Sequence, residues 1–267
     1  MRPKRSGAPG SAASRASSPP PGGGGRRSIT GRALAAALLV LALVAACSRR
    51  DEARERVDPR DHAAFFLWSG VPAPDYLAEA DTVYLLWGEL RAGDPSRIEA
   101  LRREVPRNPG PALWLVVRAE RLDWGPDAYR QLFAEAERWR DANARFAGIQ
   151  VDFDAATLRL GAYAAFLRDL RARMPAGLKL SATGLMDWTT GAEADDLAAL
   201  EGVLDEVVVQ TYQGRATIAG YERYLPSLER LAVPYRIALV EDGEWAPPSD
   251  LASDPQFEGY VVFLTAR

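Results

Sequence analysis

The chain contains one histidine, His62, and one cysteine, Cys47. His62 opens an apolar run, at the wrong end of a strand to serve a Ser-His-Asp triad, so that chemistry is not expected. A single cysteine allows no internal disulfide. With neither a CxxC pair nor a histidine cluster, zinc has no ligand set. An all-oxygen Ca²⁺ or Mg²⁺ site among the acids stays open, but no motif calls for a metal. No GxxxxGK[ST] phosphate loop occurs, and no cofactor is expected. Long apolar runs are also lacking. The longest, "ALAAALLVLALVAA" at 33–46, is 14 residues, short of the roughly 20 that span a bilayer.

The short run has its own meaning. Ahead of it, residues 1–32 hold seven basic residues and no acid, with much Gly, Pro and Ser. A basic region, an apolar core and small residues before a break are the anatomy of a secretory signal, here 1–46. The stretch "LVAAC" resembles a bacterial lipobox, which implies cleavage before Cys47 and its lipidation. "RRSITGR" bears a fainter likeness to a twin-arginine signal. Stable anchoring needs more than one acyl chain, as a fully acylated Cys47 would provide. Ser48 behind it, by likeness to sorting rules, implies the outer membrane, facing the periplasm. Removing the leader's seven cations from the chain's 33 leaves 26 basic against 36 acidic residues, a net of −10. That balance disfavours nucleic acid, which is bound by neutralising phosphates.

Residues 47–60 read as a charged, solvated tether, and 61–267 as one domain of 207 residues. Eight strand-like runs recur there, at 62–70, 82–90, 112–120, 147–155, 179–188, 206–214, 234–241 and 259–267. Helical patterns occupy 125–142, 157–173 and 217–231. Strands alternating with helices imply a parallel sheet. Eight of them fit an α/β fold, a compact (β/α)8 TIM-like barrel, with its last helix missing because the sequence stops at the eighth strand. A doubly wound open sheet is the alternative, although "WSGVPAPD" lacks its glycine fingerprint.

The fourth run, "AGIQVDFDA", carries the chemistry. Ile149, Val151 and Phe153 alternate with Gln150, Asp152 and Asp154 at strand period. Parallel strands are buried on both faces, so the polar set should point into the barrel, with Asp154 nearest the mouth. Buried carboxylates are costly unless partnered or wet. The alternative role for Asp154 is a cap on the helix starting near Thr157.

"IQVDFDAAT", "YAAFLRDLR", "LSATGLMDW" and "VVQTYQG" resemble the bacterial domain-of-unknown-function family 3142, whose members have no established activity. More distantly, the fourth run is similar to the D-G-x-D-x-D-x-E motif of glycoside hydrolase family 18. Gly148, Asp152 and Asp154 take the positions of its Gly, inner Asp and catalytic Glu. Ala147 and Gln150 replace its first two Asp residues, and Asp154 is one methylene shorter than Glu. "VVQTYQ" and "GYVVF" are like that family's sixth- and eighth-strand motifs, which brings in Gln210, Tyr212 and Phe263.

The resemblance implies Asp154 as acid, Asp152 as its partner and Tyr212 as a steadying donor. Like-charge repulsion between two neighbouring carboxylates would raise one of their pKa values. Trp68, Trp87 and Trp188 fall at or near strand ends with Glu89 close by, and with the inward-facing Gln150 and Gln210 and the motif aromatic Phe263 they are the expected saccharide contacts, the tryptophans by ring stacking. Arg118 reads as half of a structural ion pair with Glu120 or an acid on a neighbouring strand.

Three functions follow: a glycoside hydrolase-like lipoprotein acting on a polysaccharide or amino-sugar glycan, a silent saccharide-binding barrel, or a structural envelope lipoprotein. The expected partners are a saccharide and, through Cys47, a membrane. Replacing Cys47 with Ser is expected to shift the protein from the membrane to the soluble fraction on cell fractionation. Unchanged membrane association would rule out the anchor.

Overall fold

The computed structural model describes residues 54–107, 110–154, 157–248 and 250–266. Cys47, the signal at 1–46 and the first part of the tether lie outside those residues. All that is described falls in one compact unit.

Eight parallel strands form a closed ring. They are β1 (Ala64–Leu67), β2 (Thr82–Leu90), β3 (Ala112–Ala119), β4 (Phe146–Asp152), β5 (Lys179–Leu185), β6 (Glu206–Gln210), β7 (Tyr235–Val240) and β8 (Phe257–Phe263). Each pairs with its successor, and β8 pairs with β1. The barrel expected from the alternation of strands and helices is therefore present. A short strand, Ile98–Ala100, runs antiparallel along β2.

Two long helices cover the outside, α1 (Pro126–Ala142) and α2 (Leu160–Arg173). Pro126 suits the first turn of α1, where its missing N–H would have no partner anyway. Both helices bury an apolar stripe, Ala128, Leu132, Ala136 and Trp139 on α1 and Tyr163, Phe166, Leu167 and Leu170 on α2. Two shorter helices follow, α3 (Trp188–Gly191) and α4 (Ala194–Ala198). No helix follows β8 among the described residues.

Two expectations fail. The helix anticipated at 217–231 is instead two 3₁₀ turns, Tyr221–Arg223 and Leu225–Arg230. Gly220 at φ 75° and Pro226 break it, since one leaves helical φ and the other lacks an amide donor. The end of the tether is also structured. Glu55–Arg56 pairs antiparallel with Glu244–Trp245, and Val57 exchanges backbone bonds with Asp242 and Gly243. Val57 and Pro59 are buried, so these two apolar residues dock a segment otherwise made of charges.

The barrel interior divides into two levels. The lower one is a polar plug around Glu206, 4% exposed. Its carboxylate accepts from the Tyr84 hydroxyl at 2.7 Å, the Ser181 hydroxyl at 3.0 Å and Arg236 Nε at 3.0 Å. Ser181 in turn accepts from Gln150 Nε2 at 2.8 Å. Trp114 stacks on Tyr84 beside them. A buried carboxylate without such partners would be strongly unfavourable. Above the plug, Phe66, Val116, Val208 and Ala238 narrow the lumen and floor a cavity at the C-terminal ends of the strands.

β4 is seated by a close approach. A side chain on Gly148 would overlap the Lys179 carbonyl of β5. Gly148→Ala is therefore expected to destabilise the barrel by about 1–3 kcal/mol, read as a lower midpoint in urea. An unchanged midpoint would mean the two strands can separate freely.

Candidate functional site

β4 presents the carboxylates because its other face is committed. Ile149 and Val151 are fully buried and Phe153 nearly so, all in the layer between strands and helices. Phe153 packs against Tyr163 of α2, whose hydroxyl donates to the Val151 carbonyl at 3.0 Å. Gln150, Asp152 and Asp154 are thereby turned inward.

The mouth holds a cavity of about 590 Å³, lined by Trp68, Arg118, Asp152, Asp154, Thr183, Gln210, Tyr212 and Phe263 among others. Asp152 sits on its wall, level with Arg118 on β3. Its carboxylate accepts from the Thr183 hydroxyl at 2.8 Å. Burial pushes the Asp152 carboxyl above its usual range. The Thr183 bond opposes that shift, and the Asp154 charge adds to it. Asp154 is at the rim, its side chain 71% exposed and 3.9 Å from Arg118 Nη2. The turn it was expected to cap begins at Thr157, and the residues that would form that cap, 155 and 156, lie outside the described residues.

Aromatic rings from the opposite side of the barrel complete the mouth. Trp68, just past β1, meets Phe263 of β8 edge-on at 5.6 Å, and Phe263 stacks with Tyr212 at 5.2 Å. Burial, then the charges of Asp152 and Asp154, push the Tyr212 hydroxyl well above its ordinary pKa. It therefore stays a neutral donor across the working range. Gln210 lines the cavity too, its side-chain amide donating to the Tyr212 carbonyl at 2.8 Å.

Three expected contacts are misplaced. Trp87 is 5% exposed and belongs to the outer core. It shares the outward face of β2 with Val83 and Leu85, while Tyr84 and Leu86 face the lumen. Trp188 is 1% exposed, packed against Tyr163 beneath α3. Gln150 is wholly buried in the polar plug, below the cavity. None of the three can reach a ligand in the mouth. Glu89 stands level with Arg118 on the neighbouring strand, where Arg91 holds it at 2.9 Å. It is not part of the cavity lining.

Sequence reasoning missed Thr183, although Ser181 and Thr183 alternate with apolar residues in β5 as the acids do in β4. It also gave Arg118 too small a part. Glu120 accepts from the Ala92 amide instead of pairing with Arg118. Among the described residues, no three His, Cys, Asp or Glu side chains come together as a metal site.

This geometry can be set beside known proteins. Residues 118–240 match the model of the domain-of-unknown-function family DUF3142. The likeness seen in the sequence motifs holds over that stretch. The DUF3142 match contains Arg118, both carboxylates, Thr183, Gln210 and Tyr212, while Trp68 and Phe263 lie outside it. No curated protein matches the chain. Solved structures similar to it include the spore cortex-lytic enzyme SleL of Bacillus cereus, 17% identical with a TM-score of 0.47, over 67% of this chain and 50% of that one. This chain thus spans about half the length of SleL. Another is the chitinase domain of the spore coat protein CotE of Clostridium difficile, at 12% and 0.46, over 71% and 67%. The tamarind chitinase-like lectin follows at 11% and 0.44, over 75% and 94%.

The raised Asp152 carboxyl carries a stability consequence. The folded protein binds this proton more tightly than the unfolded chain, whose group titrates near 3.8. Stability therefore falls as pH rises from about that value through the higher folded one, and stays lowered above it. Asp152→Asn, which keeps an acceptor for Thr183, is expected to melt above the parent protein at pH 7, with the gap closing toward pH 4. A lower melting temperature at pH 7 would show that the ionised form is the one the fold favours.

Proposed function

We propose that the barrel mouth takes a saccharide and that the protein is a glycoside hydrolase-like envelope lipoprotein. One observation carries the site. An aromatic wall of Trp68, Phe263 and Tyr212 faces Asp152 and Asp154 across the cavity. Sugar rings are apolar on their faces and hydroxylated at their edges, so stacking rings with acceptors opposite suit both aspects. Exported, lipid-anchored placement through Cys47, in an outer membrane and facing the periplasm, rests on the leader sequence alone.

Glycoside hydrolysis needs a proton for the departing oxygen and stabilisation of the positive anomeric carbon. In this reading Asp154 at the rim delivers the proton to the glycosidic oxygen as the C–O bond breaks. Asp152, hydrogen-bonded by Thr183, holds a proton for the pair and restores it. On an amino-sugar glycan, the substrate's own N-acetyl carbonyl would attack the anomeric carbon, with the neutral Tyr212 hydroxyl steadying that group. Water would then attack that carbon, freeing the N-acetyl carbonyl and returning one proton to the carboxylate pair. The division of labour differs from the sequence expectation, because the deeper carboxyl is the one that burial favours in its neutral form.

A second reading is a barrel that binds the saccharide without cutting it. The 71% exposure of Asp154 favours it, since a solvent-washed carboxyl lies outside any water-excluded site. A carboxyl displaced by about 1 Å can forfeit around a hundredfold in rate.

The substrates to test are aryl N-acetylglucosaminides, chitin oligomers and peptidoglycan fragments. Turnover by Asp154→Asn is expected to fall by roughly 10²–10⁴, as for lost acid catalysis, with binding retained. Asp152→Ala is expected to weaken both. Binding with no cleavage in the parent protein, unaltered by Asp154→Asn, would establish the silent barrel.

A further inference from the structure

Among the described residues Arg118 is the one cation lining the cavity, and its ion pair with Asp154 is a long one, 3.9 Å. It stands at the end of β3 with its guanidinium carbon 5.2 Å above the Trp68 ring. Trp68 is held from behind by Phe263, and Phe263 by Tyr212. The guanidinium thus rests against a fixed aromatic surface.

Each carboxylate near it is out of reach or engaged. Asp154 approaches Nη2 only to 3.9 Å, beyond hydrogen-bonding distance. Asp152 is taken up by Thr183, and Glu89 by Arg91. Among the described residues no acceptor bonds any of its nitrogens, and its side chain is 40% exposed. The expected ion pair with an acid of a neighbouring strand is thus present with Asp154, but it is long and solvent-exposed and leaves the guanidinium donors open to a ligand.

We propose that the cavity selects a saccharide bearing a carboxylate on or beside the ring that stacks on the aromatic wall, and that Arg118 reads that carboxylate. A planar guanidinium presents two parallel N–H donors that fit the two oxygens of a carboxylate. Packing against Trp68 pre-orients the fork, so less freedom is lost on binding. A neutral sugar could use the wall alone but would leave those donors to water. The inference deepens the saccharide reading and depends on it.

The test is calorimetric titration of the full-length chain with two acidic probes, a tetragalacturonate and an N-acetylglucosaminyl-N-acetylmuramic acid disaccharide. Each is set against its carboxyl-reduced twin. At least one acidic probe is expected to bind tenfold to a hundredfold more tightly than its twin. Arg118→Met is expected to bring that ratio near one. Arg118→Lys, which keeps the charge and loses the fork, should fall between. Equal affinity for acid and twin in the parent protein would overturn the inference and leave the saccharide reading standing, as would a ratio that survives in Arg118→Met. Failure to bind any of the four would overturn both. Should Arg118→Met not fold by circular dichroism, the parent ratio and the Lys variant decide.

Discussion

The site depends on how β4 is pinned. Ile149, Val151 and Phe153 face outward into a layer where they are almost wholly buried, and Tyr163 of α2 donates to the Val151 carbonyl. Side chains in a strand alternate strictly, so a slip of one residue would exchange the two faces. Three apolar side chains, each stabilising by about 1.5–3 kcal/mol when buried, would then line a wet lumen. Two carboxylates would enter the dry layer under α2. The outer packing therefore decides that Asp152 and Asp154 meet the cavity, and no contact within the cavity is needed to hold them there.

The interior is then divided by polarity. Glu206, Arg236, Tyr84, Ser181 and Gln150 Nε2 form one hydrogen-bonded network low in the barrel. Above it, Phe66, Val116, Val208 and Ala238 give way to the rings and charges of the mouth, where the cavity lies. The cavity thus lies at the C-terminal ends of the strands, where sites sit in this architecture.

At the mouth, two carboxylates of one strand have unlike surroundings. Asp152 is enclosed and tied to Thr183, while Asp154 meets solvent and faces Arg118 at a distance. Chemically similar groups are thereby made different by depth alone, the usual way in which neighbouring acids acquire separate roles. Burial raises the Asp152 carboxyl above its ordinary pKa, a perturbation that clusters at functional sites.

The sequence by itself determined the eight strands, α1 and most of α2, and the inward setting of Gln150, Asp152 and Asp154. Those features follow from the period of apolar residues, which is local. It also pointed to Trp68, Tyr212, Gln210 and Phe263, which fall at strand ends on the inward side. Tertiary structure placed Trp87 and Trp188 in the outer core, Trp87 on the outward face it shares with Val83 and Leu85, and Trp188 in the short α3 against Tyr163. It alone sank Gln150 into the plug, since depth along the barrel axis depends on the stagger of neighbouring strands. It alone showed Glu55 and Arg56 paired with Glu244–Trp245, across almost two hundred positions. And it alone gave Arg118 its setting, between a ring from β1 and a carboxylate following β4. Residue type and period fix which way a side chain points. What it meets there is fixed by strands that closure of the ring brings together from distant parts of the chain.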